Sequence, residues 1–313
     1  MKAIVLTKAG GVENLIMQEV AQPKIKENEV LVKVNAIGLN PADVKPKYVD
    51  EMLNMFFGTE RPIILGWDIA GTISEVGSEV SNFKVGDKVF GMVNFPGVGN
   101  AYAEYVAAPA DHLALMPQGA SYEESVASTL AALTALQILE GRVKKDDKVL
   151  IHGGSGGVGH FAVQIAKSLG AYVYTTASTK NGDFVKSLGA DEHIDYNKVK
   201  YEEVLSDIDF VLDIFGPESA ETSIKVLKKG GTIYSTAIME VPESLANKAK
   251  EAGVNVSGLL VKSSAKDMNT IKKMMEEGTL KPTIDKVFPF EDMRDAHTAV
   301  EKGGLVGKVV VAL

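Results

Sequence analysis

Three glycines spaced Gly154-x-Gly156-x-x-Gly159 are the residues of this chain whose types and spacing speak most directly of chemistry. Glycine backbone turns sharply and lets a phosphate approach with no Cβ in its path. The apolar run Val149–Ile151 precedes the cluster, and an amphipathic segment from Val158 to Gly170 follows it, so the glycines fill a strand-to-helix turn. A helix that starts there aims free N–H groups and its positive dipole end at a pyrophosphate. Gly154, Ser155, Gly156, Gly157, Val158 and Gly159 are therefore the expected phosphate cradle of a dinucleotide. The other reading is an ordinary glycine-rich turn, since the glycine pattern is weak without its flanks.

The second strand of such a unit, Tyr172–Thr176, decides which dinucleotide is expected. An acid at its end would accept bonds from the ribose 2′-hydroxyl of NAD. This chain reads Thr175-Thr176-Ala177-Ser178-Thr179-Lys180-Asn181, with hydroxyls and a cation and no acid. A carboxylate would repel a 2′-phosphate, whereas Ser178 and Lys180 attract one, so NADPH is the expected cofactor. Lys180 has a second reading as a solvated lysine at a helix start. Asp183 is expected inside the helix that follows.

These residues need a scaffold. Beyond Lys148, strands alternate with helices at Val149–Ile151, Tyr172–Thr176, His193–Ile194, Phe210–Ile214, Thr232–Ser235 and Val254–Leu259. That alternation predicts right-handed βαβ units and a parallel sheet. Residues 1–120 are instead short β-type runs separated by turns, at Ala3–Leu6, Val30–Ala36, Ile69–Val76, Lys88–Phe90 and Tyr102–Ala107. A possible capping box, Ser121-x-x-Glu124, opens a helical stretch predicted over Tyr122–Leu139. Helices over Met268–Glu277 and Glu291–Lys302 and a strand over Lys308–Leu313 close the chain. The expected fold class is α/β, with one β-rich domain from residues 1–120 and 266–313 and a dinucleotide-binding domain from residues 121–265.

Composition bounds the function. With 313 residues and 45% apolar content, the chain can build two cores. Its 33 basic and 41 acidic side chains leave a charge of −8, which disfavours nucleic-acid and anionic-membrane partners. Having no cysteine, it has no disulfides, thiolate nucleophiles or cysteine-ligated metals. No run approaches the roughly 20 apolar residues of a membrane span, and Met1–Leu6 is too short for a signal peptide. A cytoplasmic protein is expected.

Several blocks, in order, resemble the medium-chain dehydrogenases/reductases of the zinc-free quinone oxidoreductase branch, and in particular the NADPH-dependent enone and alkenal reductases. They are Ala36–Asp43, Pro62–Gly71, Val85–Val89, Ala131–Ala135, the glycine loop, Ser187–Asp191, Ile194-Asp195-Tyr196 and Gly307–Val311. The resemblance covers essentially the whole chain. It implies a GroES-like β-rich domain, a Rossmann domain with a doubly wound parallel sheet, and an active site in the cleft between them. It also implies a homodimer, joined through the edge strand Val254–Leu260, and adds Thr176, Tyr196, Phe215, Leu259 and Lys308 to the cofactor side.

Departures from the zinc alcohol dehydrogenases of that family are equally informative. Where those enzymes carry a cysteine ligand, a histidine ligand and a glutamate, this chain has Asn40, Trp67 and Asp68. A catalytic zinc needs three protein ligands, and neither indole nor amide serves. The five histidines (112, 152, 160, 193, 297) show no metal-ligand spacing, so no metal site is expected. Without a Lewis acid, hydride can still pass to an acceptor made electrophilic by conjugation, a quinone or an α,β-unsaturated carbonyl. The remaining work is positioning and hydrogen bonding to the oxygen that gains charge. Asn40, Lys45, Tyr48 and Thr134 are the candidate donors, Asn40 first, and Trp67 a candidate pocket wall. Asn40 reads equally as a turn residue before Pro41, Lys45 as part of a charged surface face, and Trp67 as core. A non-catalytic NADPH-binding role is the alternative function. An RNA-binding role is disfavoured by the acidic balance.

Overall fold

The computed structural model describes residues 1–313. They form two compact units, Met1–Leu133 with Val261–Leu313, and Thr134–Leu260.

The first unit begins with strands β1 (Lys2–Leu6), β2 (Leu15–Glu19), β3 (Glu29–Leu39), β4 (Ile63–Ile64), β5 (Asp68–Val76), β6 (Lys88–Met92), β7 (Tyr105–Pro109) and β8 (Leu113–Leu115). Helices α1 (Pro41–Val44) and α2 (Asp50–Phe57) lie between β3 and β4, and α3 (Tyr122–Ala127) follows β8. β3 is the spine of the unit. Its run of Val30, Leu31, Val32, Val34 and Ile37 is buried, and it pairs antiparallel with β5 and β7. Leu15–Glu19 lacks a clear strand pattern, yet it pairs residue for residue with β1, Lys2 opposite Glu19, so tertiary pairing overrides local preference.

The single helix expected over Tyr122–Leu139 is instead two, α3 and α4 (Leu130–Leu139). The break has a local cause. Thr129 Oγ donates to Val126 O at 2.6 Å and Ser128 Oγ to Glu124 O at 3.1 Å, competing with the helical ladder. The capping box is present, with Ser121 Oγ accepting from Glu124 N at 3.1 Å and Ser121 N donating to Glu124 Oε2 at 2.9 Å. α3 packs on β3 and β5, so residues 121–133, assigned by sequence to the dinucleotide domain, belong to the first unit.

The second unit holds β9 (Lys148–Ile151), α5 (Gly157–Ser168), β10 (Tyr172–Ala177), α6 (Gly182–Ser187), β11 (Glu192–Asp195), α7 (Tyr201–Val204) and β12 (Ile208–Asp213). It continues with α8 (Pro217–Ile224), β13 (Leu227–Ser235), α9 (Glu243–Ala252) and β14 (Asn255–Gly258). All six strands are parallel in the order β11-β10-β9-β12-β13-β14. β9 is an unbroken buried run, Val149-Leu150-Ile151, as a strand covered on both faces requires. The winding reverses at β9, which has β10 on one side and β12 on the other. Ligands of open α/β sheets bind beyond the carboxyl ends of the strands at such a reversal.

The chain then returns to the first unit through α10 (Ala265–Glu276), β15 (Ile284–Pro289), α11 (Met293–Lys302) and β16 (Lys308–Ala312). β16 pairs antiparallel with β3, which completes a sheet ordered β15-β16-β3-β5-β6-β8, while β2-β1-β4 form a smaller sheet. This pairing sets Leu39 opposite Val309, bringing the end of β3 beside the start of β16.

Candidate functional site

The glycine loop follows β9 directly, at the reversal of the sheet. It is held by β10: Gly153 N donates to Thr176 Oγ1 at 3.0 Å, and Gly154 N to Thr176 O at 3.0 Å. Gly153 adopts φ +66°, a turn conformation that favours glycine. The three glycines of the motif are glycine for different reasons. A Cβ on Gly154 would collide with Thr175 Oγ1, and one on Gly159 with Gly153 O. A Cβ on Gly156 would meet only Gly153 O, at 3.3 Å, and Gly156 has an ordinary φ of −84°. Gly156 is also the N-cap of α5, with no side chain capping the helix. Its open face and the uncapped N–H groups behind it form a cradle of the kind an anionic group fills.

A second group of side chains lies at the ends of β10 and β11. Ser178, Lys180 and Tyr196 are half-buried to exposed, and their polar heads have no partner. Their neighbours are engaged: Thr179 Oγ donates to Asp195, and Asn181 Nδ2 donates to Ser155 Oγ at 2.9 Å, tying this turn to the glycine loop. Thr176 departs from expectation. Its side chain is buried and already bonded, so it holds the loop from behind and presents no free hydroxyl.

Beyond β12, Phe215 is 64% exposed, and its loop is anchored by buried Asp213, which accepts from Gly216 N at 2.9 Å and Ser235 Oγ at 2.6 Å. Leu259, just past β14, is half-buried and bonded through its backbone N to Ser235 O. His152 lies between Thr176 Oγ1 (3.4 Å) and Ser223 Oγ (3.0 Å). Burial pushes its imidazole down to about 4, so the ring is neutral at pH 7. Neither Asp213 nor His152 carries a motif. Only their position beside the strand ends gives them a role.

Lys308 requires correction. It belongs to the first unit, is 3% exposed, and donates to Leu39 O at 2.8 Å and to Asn40 Oδ1, so two of its three N–H groups are engaged within the fold. Asn40 is corrected with it. The amide is buried, accepting from Lys308 and donating to Asp68 Oδ2 at 2.8 Å, and its backbone N donates to Asp43 Oδ2 at 2.6 Å as the N-cap of α1. Asp68 Oδ1 in turn accepts from Leu130 N at 3.1 Å, capping α4. Two acids and one lysine are thus sealed together. Burial and the Asp68 charge push the Asp43 carboxyl up to about 8, and its Oδ1 has no partner. With Asp43 protonated, the cluster holds one carboxylate and one ammonium and is net neutral.

Trp67 is core rather than pocket wall. It is 1% exposed, donates Nε1–H to Gly97 O at 2.6 Å, and packs edge-on against Phe95 with ring centroids 5.0 Å apart. Thr134 is buried on α4. Lys45 is exposed at the end of α1. Tyr48 is half-exposed and donates to Glu301 Oε1 at 2.8 Å, and that bond raises the phenol above its ordinary range. No three His, Asp or Glu side chains converge as a metal site. Where the family's zinc ligands stand, Asn40 and Trp67 are bonded within the fold.

Comparison with known proteins accords with this geometry. A model described as alcohol dehydrogenase GroES-like domain matches residues 26–118, and one described as zinc-binding dehydrogenase matches residues 188–311. A 2-methylene-furan-3-one reductase from Solanum lycopersicum is 34% identical, over 99% of this chain and 79% of that protein. A chloroplastic NADPH-dependent alkenal/one oxidoreductase from Arabidopsis thaliana is 32% identical over the same shares. The structure of the quinone oxidoreductase from Coxiella burnetii superposes with a TM-score of 0.93 at 34% identity, covering 100% of this chain and 99% of that one. The fold is a GroES-like domain with a Rossmann-type parallel-sheet domain.

The buried cluster has a pH signature. Asp43 keeps a proton in the folded state up to about pH 8 but loses it near pH 4 when unfolded. The native state therefore binds more protons between those values, and stability falls as pH rises through that window, by up to about 1.4 kcal/mol per pH unit. Asp43→Asn preserves an acceptor for Asn40 N and removes the titration. In urea unfolding, the stability of the variant relative to the parent should grow from pH 5 to pH 8. A pH-independent difference would contradict the protonated assignment.

Proposed function

The chain belongs to the medium-chain dehydrogenase/reductase family, and from that premise we propose that it is an NADPH-dependent reductase of quinones or α,β-unsaturated carbonyl compounds that needs no zinc. The observation that carries this reading is the open face of Gly156. The fold itself demands glycine at 154 and 159. A Cβ at 156 would meet only Gly153 O at 3.3 Å, a tight contact that a small shift relieves, so an approaching ligand is the stronger reason for glycine there. The residues of the loop fit a pyrophosphate, through the backbone of Gly154–Gly159 and the uncapped N-terminus of α5. Ser178, Lys180 and Tyr196, all unpartnered, would take the 2′-phosphate, with Phe215 and Leu259 bordering the site at the ends of β12 and β14.

When bound, NADPH supplies hydride, and a proton from solvent completes the two-electron reduction of the acceptor. The chain's own contribution is to hold the reactants and stabilise charge on the acceptor oxygen. Of the five side chains proposed from sequence, Lys45 and Tyr48 have polar heads that reach solvent. Asn40, Trp67 and Thr134 are buried. The Lys45 ammonium is thus the donor of this reading, and Tyr48, whose one O–H is given to Glu301, can donate to an acceptor only by releasing that carboxylate. The first unit is read as the catalytic domain and the second as the cofactor domain. We further infer a cytoplasmic homodimer: β14 pairs only with β13, leaving its outer edge for the same strand of a second copy.

Gly156→Val tests the central claim. It should abolish NADPH binding and quinone or enone reduction while leaving the unfolding transition in place, whereas Gly154→Val should destabilise the domain outright. Calorimetric NADPH binding by the Gly156→Val protein would sink the assignment of the loop. Lys180→Ala should weaken NADPH roughly tenfold and barely affect NADH, as a charge-assisted contact of about 1.5–3 kcal/mol requires. Equal affinity of the parent for both cofactors would refute the NADPH preference. Light scattering at micromolar concentration should give twice the monomer mass, and a monomer would remove the dimer from this reading.

A further inference from the structure

The end of the second strand carries no acid, yet the fold brings one to it. Asp195 closes β11 in register with Ala177, the last residue of β10. Its side chain is 11% exposed and faces the turn after β10, where Thr179 Oγ donates to it. On its own side it accepts from Asn197 N at 3.1 Å and Asn197 Nδ2 at 3.2 Å, with Lys198 Nζ at 3.4 Å. One carboxylate therefore joins two turns. Thr179 is flanked by Ser178 and Lys180, and Asp195 is followed by Tyr196, so the joined turns are those that carry the three unpartnered polar side chains. The far end of the first turn is tied to the glycine loop by Asn181 and Ser155, so Asp195 fixes the end that would otherwise be loose.

A free carboxylate at this place would oppose a 2′-phosphate. Here its charge is committed to Thr179, Asn197 and Lys198, and those partners, Thr179 foremost, hold the acid down to about 2, so that it stays an anion across physiological pH. We infer that Asp195 is a positioning and specificity residue for the 2′-phosphate of the cofactor, acting as a latch that closes on Thr179 and so fixes Ser178 and Lys180 beside Tyr196. This rests on the NADPH reading above.

The latch can be separated from the charge. Thr179→Val keeps the shape of the side chain, deletes the hydroxyl and leaves the Asp195 anion less satisfied. Asp195→Asn deletes the charge but keeps an acceptor for Thr179. The probes are 2′,5′-ADP and 5′-AMP, which differ by the 2′-phosphate alone, measured by calorimetry on the full-length protein, with far-UV dichroism to verify folding. Thr179→Val should lower the preference for 2′,5′-ADP over 5′-AMP by roughly three- to tenfold, the worth of a hydrogen bond of ordinary net strength. Asp195→Asn should keep the parent's preference or increase it. An unchanged preference in Thr179→Val, or an equal weakening of both probes, would overturn the latch, as would a reduced preference in Asp195→Asn. A parent protein that binds the two probes equally would instead refute the NADPH reading itself.

Discussion

Two hydrogen bonds from the glycine loop to Thr176 govern the second unit. A loop rich in glycine has many conformations to lose, and its use as a phosphate cradle depends on its being fixed beforehand. Thr176 fixes it by accepting Gly153 N–H with its hydroxyl and Gly154 N–H with its carbonyl. Thr176 can do so because it is buried in β10, paired with both β9 and β11, and because neutral His152 approaches the same hydroxyl from behind. The strand whose end leads into Ser178 and Lys180 thus also shapes the glycine loop. Asn181 and Ser155 repeat the connection further out.

The first unit is organised around a different constraint, the expense of burying charge. Lys308, Asp43 and Asp68 are all sealed from water, and an unpaired buried ion would cost several kcal/mol. Asn40 is the adapter. Its amide oxygen faces the ammonium, its amide nitrogen faces Asp68, and its backbone N–H faces Asp43. These four residues come from the N-cap and body of α1, just past β3, and from β5 and β16, so the cluster joins the N-terminal strands to the strand that returns at the end of the chain. Such clusters are weak evidence for stability, but they strongly penalise any arrangement that separates the partners.

Sequence made the second unit legible because its signals are local. The glycine spacing, the runs of β-branched residues and the helices between them each fit within a dozen residues, and their alternation implies a parallel sheet. Much of the first unit was not legible in that way. β2 exists because β1 lies beside it, and the break between α3 and α4 depends on two hydroxyls turning back on the helix and on a carboxylate 62 residues away capping Leu130. Ser178 and Lys180 could be picked out as a hydroxyl and a cation at a strand end, whereas Tyr196 comes only from the family resemblance. Thr176 is named through the resemblance too, but whether its hydroxyl faces a ligand or the loop depends on a bond to Gly153, 23 residues distant. Asn40 and Lys308 each looked like chemistry until the register of β16 on β3 set them against one another.

That last pairing bears on the chemistry. The resemblance puts the cation of the zinc-dependent enzymes near the end of β3 and the start of β5, where in this chain Trp67 is core and Asn40 and Asp68 are polar and buried. The cation they now face is the Lys308 ammonium, held by Leu39 O and Asn40 Oδ1 with Asp68 nearby. A tethered ammonium has no open coordination position and so cannot activate an alcohol as a Lewis acid does. Of the donors read from the sequence, what this unit keeps at its surface is the Tyr48 phenol and the Lys45 ammonium. That equipment suits an acceptor already polarised by conjugation and does not suit one that must be polarised by the enzyme. A fold that buries an ammonium beside Asn40 and Asp68 thus favours acceptors that conjugation has already activated.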